Sequence, residues 1–185
     1  MTHYRTAIAV LAVAAILLPA GCTPTTSTSS PVPSSPVSSV TPTPTPTPTP
    51  TYGPNQQAVI EVVTKYYAWI NRQKKEPGPI NGVALQALAE GPPNAAAVYS
   101  VRQGYDKGQR QVGDLILASI VPAAESTTEI KVAVCTDSSQ ITRLQQETPV
   151  PAPTNVPTRQ AYLYTAQNKG GSWILVDSSG GMSSC

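Results

Sequence analysis

From Gln56 to Gln73, apolar residues recur every three or four positions. Val59, Val62 or Val63, Tyr66 and Ile70 form a stripe that Ala58, Tyr67 and Trp69 widen, while Gln57, Glu61 and Lys65 occupy the other side. That period predicts an amphipathic helix, with Asn55 placed to cap it and Pro77-Gly78-Pro79 to stop it. Val83 to Glu90 reads as a short second helix ended by Gly91-Pro92-Pro93. Asn94 to Arg102 reads as a third, capped by Asn94 and limited by Gly104 and Gly108. After Gly113 the period falls towards two. Leu115 to Val121 is an apolar strand with its turn over Pro122 to Ser126. In Thr127 to Thr136, Thr128, Ile130, Val132 and Val134 alternate with Glu129, Lys131, Ala133 and Cys135. Thr148 to Thr158 is too rich in proline for a central strand and reads as a loop. Arg159 to Gln167 and Ser172 to Asp177 flank Asn168-Lys169-Gly170-Gly171, a hairpin signal. Helices first and strands afterwards predict an α+β domain, with N-terminal helices packed on a curved antiparallel sheet.

Upstream the pattern changes twice. Ala7 to Leu18 are twelve consecutive apolar residues behind a short positive start at Arg5, a signal-peptide core too short to span a bilayer comfortably. From Thr23 to Pro54, Ser, Thr and Pro fill nearly every position without a charge, and Thr41 to Pro50 is a strict Thr-Pro alternation. Such a tract cannot bury enough apolar surface to offset the entropy of ordering it, and alternate prolines favour polyproline II. At about 3.1 Å per residue, the Thr-Pro repeat alone spans roughly 30 Å. The composition also fits an O-glycosylated stalk.

Between these segments stands Leu18-Pro19-Ala20-Gly21-Cys22, which resembles the lipobox of bacterial lipoproteins. The resemblance implies cleavage before Cys22, a diacylglycerol on its sulfur, and attachment to the extracytoplasmic face of the cell membrane. No later window has eighteen continuous apolar residues, so attachment is expected from lipid. Each buried methylene contributes only about 0.8 kcal/mol, so two or three chains anchor where one does not. The expected organisation is a lipoprotein signal peptide over 1–21, the lipidated cysteine with a disordered linker over 22–54, and the α+β domain over 55–185.

Charge and candidate chemistry narrow the function. Eleven of the twelve Lys and Arg and all ten Asp and Glu fall after residue 54, a balance that gives no case for nucleic acid. The densest basic cluster, Lys74-Lys75 with Arg72 nearby, reads as a solvated helix end beside the negative end of the helix dipole. His3 is the sole histidine and is expected to leave with the signal peptide, which excludes Ser-His-Asp, Cys-His and histidine-metal chemistry. No calcium loop or phosphate-binding glycine loop is present, so neither metal nor cofactor is expected. The acids near strands are Asp114, Asp137 and Asp177; Asp137, and after it Asp114, are the weak candidates for a catalytic carboxylate. A general base there would need burial to raise its pKa; the alternative for Asp137 is a strand-end carboxylate that accepts backbone N–H bonds in a turn. Tyr66, Tyr67, Trp69, Tyr162, Tyr164 and Trp173 either line a pocket or form core.

The opening helix with Tyr-Tyr-x-Trp, two short helices and antiparallel strands ending in Gly-Ser-Trp-Ile-Leu-Val resemble the nuclear transport factor 2-like (SnoaL-like) superfamily of cone-shaped domains. The lipobox, Val132-x-Val-Cys-x-Asp137, Gly171-x-Trp173 and the final cysteine together resemble small actinobacterial lipoproteins. That superfamily houses isomerases, dehydratases and scaffolds, so the likeness does not select an activity. Lipidation of Cys22 would leave Cys135 and Cys185 to pair in an oxidising compartment, closing a loop of about 50 residues; the competing reading is two free thiols. The reading reached is a membrane-anchored, non-catalytic binding or accessory module for an envelope protein or small ligand. The alternative is a small-molecule enzyme, isomerase- or dehydratase-like, using an acid in the cone pocket.

Overall fold

The computed structural model describes residues 50–181 and 183–185. The lipobox with Cys22, the signal-like segment and most of the Ser/Thr/Pro tract lie outside the described residues. Three helices come first, α1 (Pro54–Lys75), α2 (Gly82–Gln86) and α3 (Gly91–Asp106). Seven strands follow: β1 (Gln109–Val112), β2 (Ile116–Pro122), β3 (Glu129–Asp137), β4 (Thr142–Gln145), β5 (Thr148–Val150), β6 (Arg159–Lys169) and β7 (Ser172–Gly180). The strands form two antiparallel sheets, β2-β3-β6-β7 and β1-β4-β5. The expected arrangement of helices on an antiparallel sheet is therefore present, with a second small sheet beside it. Among the described residues no helix is long and apolar enough to cross a membrane.

The long helix buries Val59, Val63, Tyr66, Tyr67, Trp69 and Ile70. Opposite them stand Ile130, Val132 and Val134 of β3, Tyr164 and Ala166 of β6, and Trp173 and Leu175 of β7, all in one cluster. Register places the side chains on a common face: Val132 pairs with Tyr164, Ile130 with Ala166, and Ala166 with Leu175. Irregular pairing between Leu117 and Ser119 and between Thr165 and Ala166 bends the outer strand pairs.

Local differences from the expected elements have physical causes. Gly53, not Asn55, caps α1, and its N–H donates to Gln56 Oε1 at 2.9 Å. The side-chain acceptor for the first turn comes from the β2–β3 loop: the Glu125 carboxylate accepts from Asn55 N at 2.9 Å and Gln56 N at 3.2 Å. It satisfies N–H groups that every helix start leaves open and sits at the positive end of the dipole. Gly91-Pro92-Pro93 opens α3 and does not close α2, because a first-turn proline lacks only an N–H that would have no helical partner. Leu88 to Glu90 then runs beside β7, with Glu90 N donating to Leu175 O at 2.9 Å and Leu175 N to Leu88 O at 3.0 Å. That segment covers a strand edge that would otherwise be open to pairing.

Thr148 to Thr158 is not entirely loop, since its first residues form β5 against β4. Periodicity could not reveal strands this short, and the turn between them has no glycine: Gln146 and Glu147 take φ of 49° and 64°. Arg110 of β1 holds this turn with a two-pronged contact to Glu147, Nε to Oε1 at 2.9 Å and Nη2 to Oε2 at 2.5 Å.

Cys135 lies opposite in direction to Val134 and Thr136, on the face away from the helices, yet it is buried. Its cover is the C-terminal segment. Cys135 and Cys185 form a disulfide across a Cα separation of 6.0 Å. The segment has other attachments as well: Gly181 N donates to Ala161 O at 2.8 Å, and Ala161 N to Ser183 O at 2.9 Å. Gly180 permits this course with φ of 105°, and a Cβ there would lie 2.3 Å from Ala161 O.

Two predictions follow from these contacts. Glu125→Ala should lower unfolding free energy by about 1 kcal/mol through the lost cap, read by urea denaturation against a Glu129→Ala control. Cys185→Ser should cost up to about 4 kcal/mol, the entropy of closing a 50-residue loop; equal denaturation midpoints for variant and parent would refute it.

Candidate functional site

Three tyrosines fill the space between α1 and the large sheet. Tyr67 and Tyr164 share a hydroxyl–hydroxyl hydrogen bond of 2.7 Å, and Tyr66 donates to Pro93 O at 2.8 Å. Their rings meet edge to face, with centroids 5.3 to 6.3 Å apart. Burial pushes all three hydroxyls well above the ordinary tyrosine range. Neutral, each with a hydrogen-bond partner and only 2 to 4 % exposed, they are core. Trp69 and Trp173 are buried in the same cluster, and Tyr162 packs against it.

The two carboxylates proposed from sequence each have a cationic partner of their own. Asp114, in the β1–β2 connection, pairs with Lys75 Nζ at 2.6 Å. Asp137, at the end of β3, accepts from Ser139 N at 2.8 Å and faces Arg159 at 3.8 Å. The Ser139 hydrogen bonds, and to a lesser extent the Arg159 charge, hold its carboxyl below the usual range. That direction is opposite to the one a general base in an apolar pocket requires. The third acid, Asp177, is exposed on β7. Among the described residues no cluster of three or more His, Cys, Asp or Glu is arranged to hold a metal.

An open, polar cleft of about 230 Å³ lies elsewhere, where the last turn of α1, the end of α3 and the small sheet meet. Its position follows from how the two sheets join. Asn71 of α1 clamps the start of β2, accepting from Leu115 N at 2.9 Å and donating to Leu115 O at 3.0 Å. The buried Gln111 amide of β1 donates to Asn71 Oδ1 at 3.2 Å and to Gly113 O at 3.0 Å. Gly113 makes the turn between them with φ of 85°, and a Cβ there would be 2.2 Å from Gln140 O. The clamp fixes β1 beside α1 and leaves the cleft between β1, β4 and the helix ends.

Lys74, Lys107, Arg110 and Arg143 line this cleft with several glutamines, and no carboxylate is among the lining residues. Lys74 is half-buried, and among the described residues it has no acidic partner within ion-pair distance. Its ammonium is pushed down to about 8, chiefly by removal from water and then by the Arg143 charge. The solvated helix end expected from the sequence is thus divided: Lys75 pairs with Asp114, whereas Lys74 is drawn into the cleft. The i, i+1 pattern could not separate the two, because the difference arises from β4 and α3. A second cleft of similar volume lies in the proline-rich stretch around Ile141, Val150 and Val156, with Arg143 between the two.

Lys74 makes a pH-dependent prediction. Its folded pKa lies below its unfolded value of 10.5, so above about pH 8 the unfolded chain holds a proton that the folded chain has released. Stability contributed at this site is therefore smallest below about pH 8 and recovers as pH rises. Above pH 10 the buried tyrosines act in the opposite sense, since only the unfolded chain ionises them. Lys74→Met should raise stability at pH 7 on the order of 1–2 kcal/mol. It should also flatten the rise between about pH 8 and 10, as read by urea denaturation at stepped pH.

No protein-family model matches the chain, and no curated protein matches it. Among solved structures, it is similar to the intermembrane space region of the chloroplast protein ARC6, with 12% identity, 72% of this chain and 100% of that one covered, and a TM-score of 0.47. It is also similar to an NTF2-like protein from Cytophaga hutchinsonii, with 11% identity, 68% of this chain and 95% of that one covered, and a TM-score of 0.44.

Proposed function

We propose that this chain is an envelope lipoprotein whose α+β domain is a non-catalytic binding module. In this reading, lipid on Cys22 holds the chain to the extracytoplasmic face of the cell membrane, and the Ser/Thr/Pro tract acts as a stalk between anchor and domain. The observation that carries the binding role is the open polar cleft between α1, α3 and the small sheet, which offers cations and amides and no carboxylate. Such a lining orients a ligand through hydrogen bonds and charge. It holds no carboxylate to act as the general base that an isomerase- or dehydratase-like activity was expected to use, while Asp114 and Asp137 are tied to cations.

Two measurements test the two halves of this reading. Mass spectrometry of the mature membrane-bound protein should find lipid on residue 22, and Cys22→Ser should release the chain from the membrane. An unmodified Cys22 on membrane-bound protein would refute the anchor. For the domain, NMR shifts of the full chain in detergent micelles should be recorded against a panel of charged and uncharged small molecules. Perturbations should gather at Lys74, Gln111 and Arg143 without turnover of any compound. Shifts gathered elsewhere, or turnover, would overturn the binding role.

A further inference from the structure

Four cations from four different places in the chain converge on the cleft: Lys74 from α1, Lys107 after α3, Arg110 from β1 and Arg143 from β4. Among the described residues, only Arg110 of these four has a carboxylate partner, Glu147, and that residue belongs to the β4–β5 turn and not to the lining. Bringing like charges together at a half-buried position is unfavourable unless something compensates, and a missing counter-charge costs most where water is excluded. We propose that the cleft is an anion site for a small ligand bearing a phosphoryl group. This deepens the binding-module reading and rests on it, by naming the class of ligand.

The chemistry favours phosphoryl over carboxylate. A planar carboxylate is satisfied by one guanidinium fork, whereas the oxygens of a tetrahedral group accept donors from several directions. Here ammonium and guanidinium groups approach from helix ends and from two strands. The volume of about 230 Å³ exceeds that of one phosphate, leaving room for a small polar group attached to it. Gln73, Gln103, Gln109 and Tyr105 are also among the lining residues. Gln73 Oε1 already accepts from Asn81 N and Gln103 Nε2 donates to the Tyr99 hydroxyl, which, among the described residues, leaves Gln109 and Tyr105 as the neutral polar side chains of that wall without such a bond.

Binding should couple to the protonation of Lys74. The titratable and charged groups that face it are Lys107, Arg110, Arg143 and Tyr105, with Glu147 behind Arg110. None of the lining residues is negative, so an anion in the cleft supplies a counter-charge that the lining lacks. It should restore the lysine towards its ordinary value and take up a proton near pH 8.

The test uses the full chain in detergent micelles, titrated with glycerol 3-phosphate, inorganic phosphate and citrate. Lys74 is followed by NMR of its side-chain Cε and affinity by calorimetry. Saturable binding of glycerol 3-phosphate is expected, with the Lys74 pKa rising by about one unit on saturation and affinity falling between about pH 8 and 9.5. Lys74→Met and Arg143→Gln should each weaken binding about tenfold or more, while Lys131→Met, on the exposed side of β3, should leave it unchanged. Arg143 is exposed, so its variant keeps the test valid if Lys74→Met alters folding. Citrate binding as tightly as glycerol 3-phosphate would overturn the phosphoryl assignment. Binding that neither variant weakens would overturn the site. A response only to phosphatidylglycerol vesicles, with no response to the soluble phosphates, would make the cleft a membrane contact and overturn the small-ligand proposal. Uncharged compounds that perturb the cleft where the phosphates do not would leave the binding module standing without this ligand; a cleft silent to every compound would remove both.

Discussion

The inner core of the domain depends on the burial of one side of α1 against the β3-β6-β7 face. Val59, Val63, Tyr66, Tyr67 and Ile70 are each no more than 6 % exposed. At roughly 1.5–3 kcal/mol for each large apolar side chain removed from water, this face outweighs any single polar contact in the domain. It also settles the register of the sheet. A one-residue slip of β3 would send Ile130, Val132 and Val134 to the outer face.

Once α1 is seated, its two ends acquire different tasks. The N-terminal end is closed by Glu125 from a distant loop, so the β2–β3 turn and the helix start hold one another. The C-terminal end carries Asn71, whose amide grips both backbone groups of Leu115 and accepts from Gln111. A half-buried amide that makes three hydrogen bonds costs little to desolvate and fixes a geometry that apolar contacts leave free. That geometry separates the small sheet from the large one, and the basic cleft is the space left between them.

The outer face of the large sheet is organised by another constraint. Alternation along β3 would leave Cys135 in solvent; the C-terminal segment covers it through a disulfide and through backbone bonds to Ala161. Lys169 of the β6–β7 hairpin pairs with Glu90 at the start of α3, tying the opposite end of the sheet to the helices. The polar cleft lies on the small-sheet side of the helix ends, where removal from water lowers the Lys74 ammonium pKa.

The amino-acid sequence by itself determined the elements with a long period. Three-to-four spacing from Val59 to Ile70 marked α1, and alternation over Ile130, Val132 and Val134 marked β3. The glycine turn at Gly170-Gly171 marked the last hairpin. These signals are local, because burying one face imposes a repeat on the residues that bear it. Cys135 and Cys185 were also legible as a pair. Tertiary structure decided the rest. Strands of three and four residues such as β5 and β4 carry too few positions for a period, and Gln146-Glu147 lacks the glycine that signals a tight turn. Whether Lys74 or Lys75 would be solvated depended on Asp114, Arg143 and the end of α3, all remote in sequence from the end of α1. A site assembled from four separate places in the chain leaves no motif, since each member owes its environment to the others and none to its own neighbours in sequence.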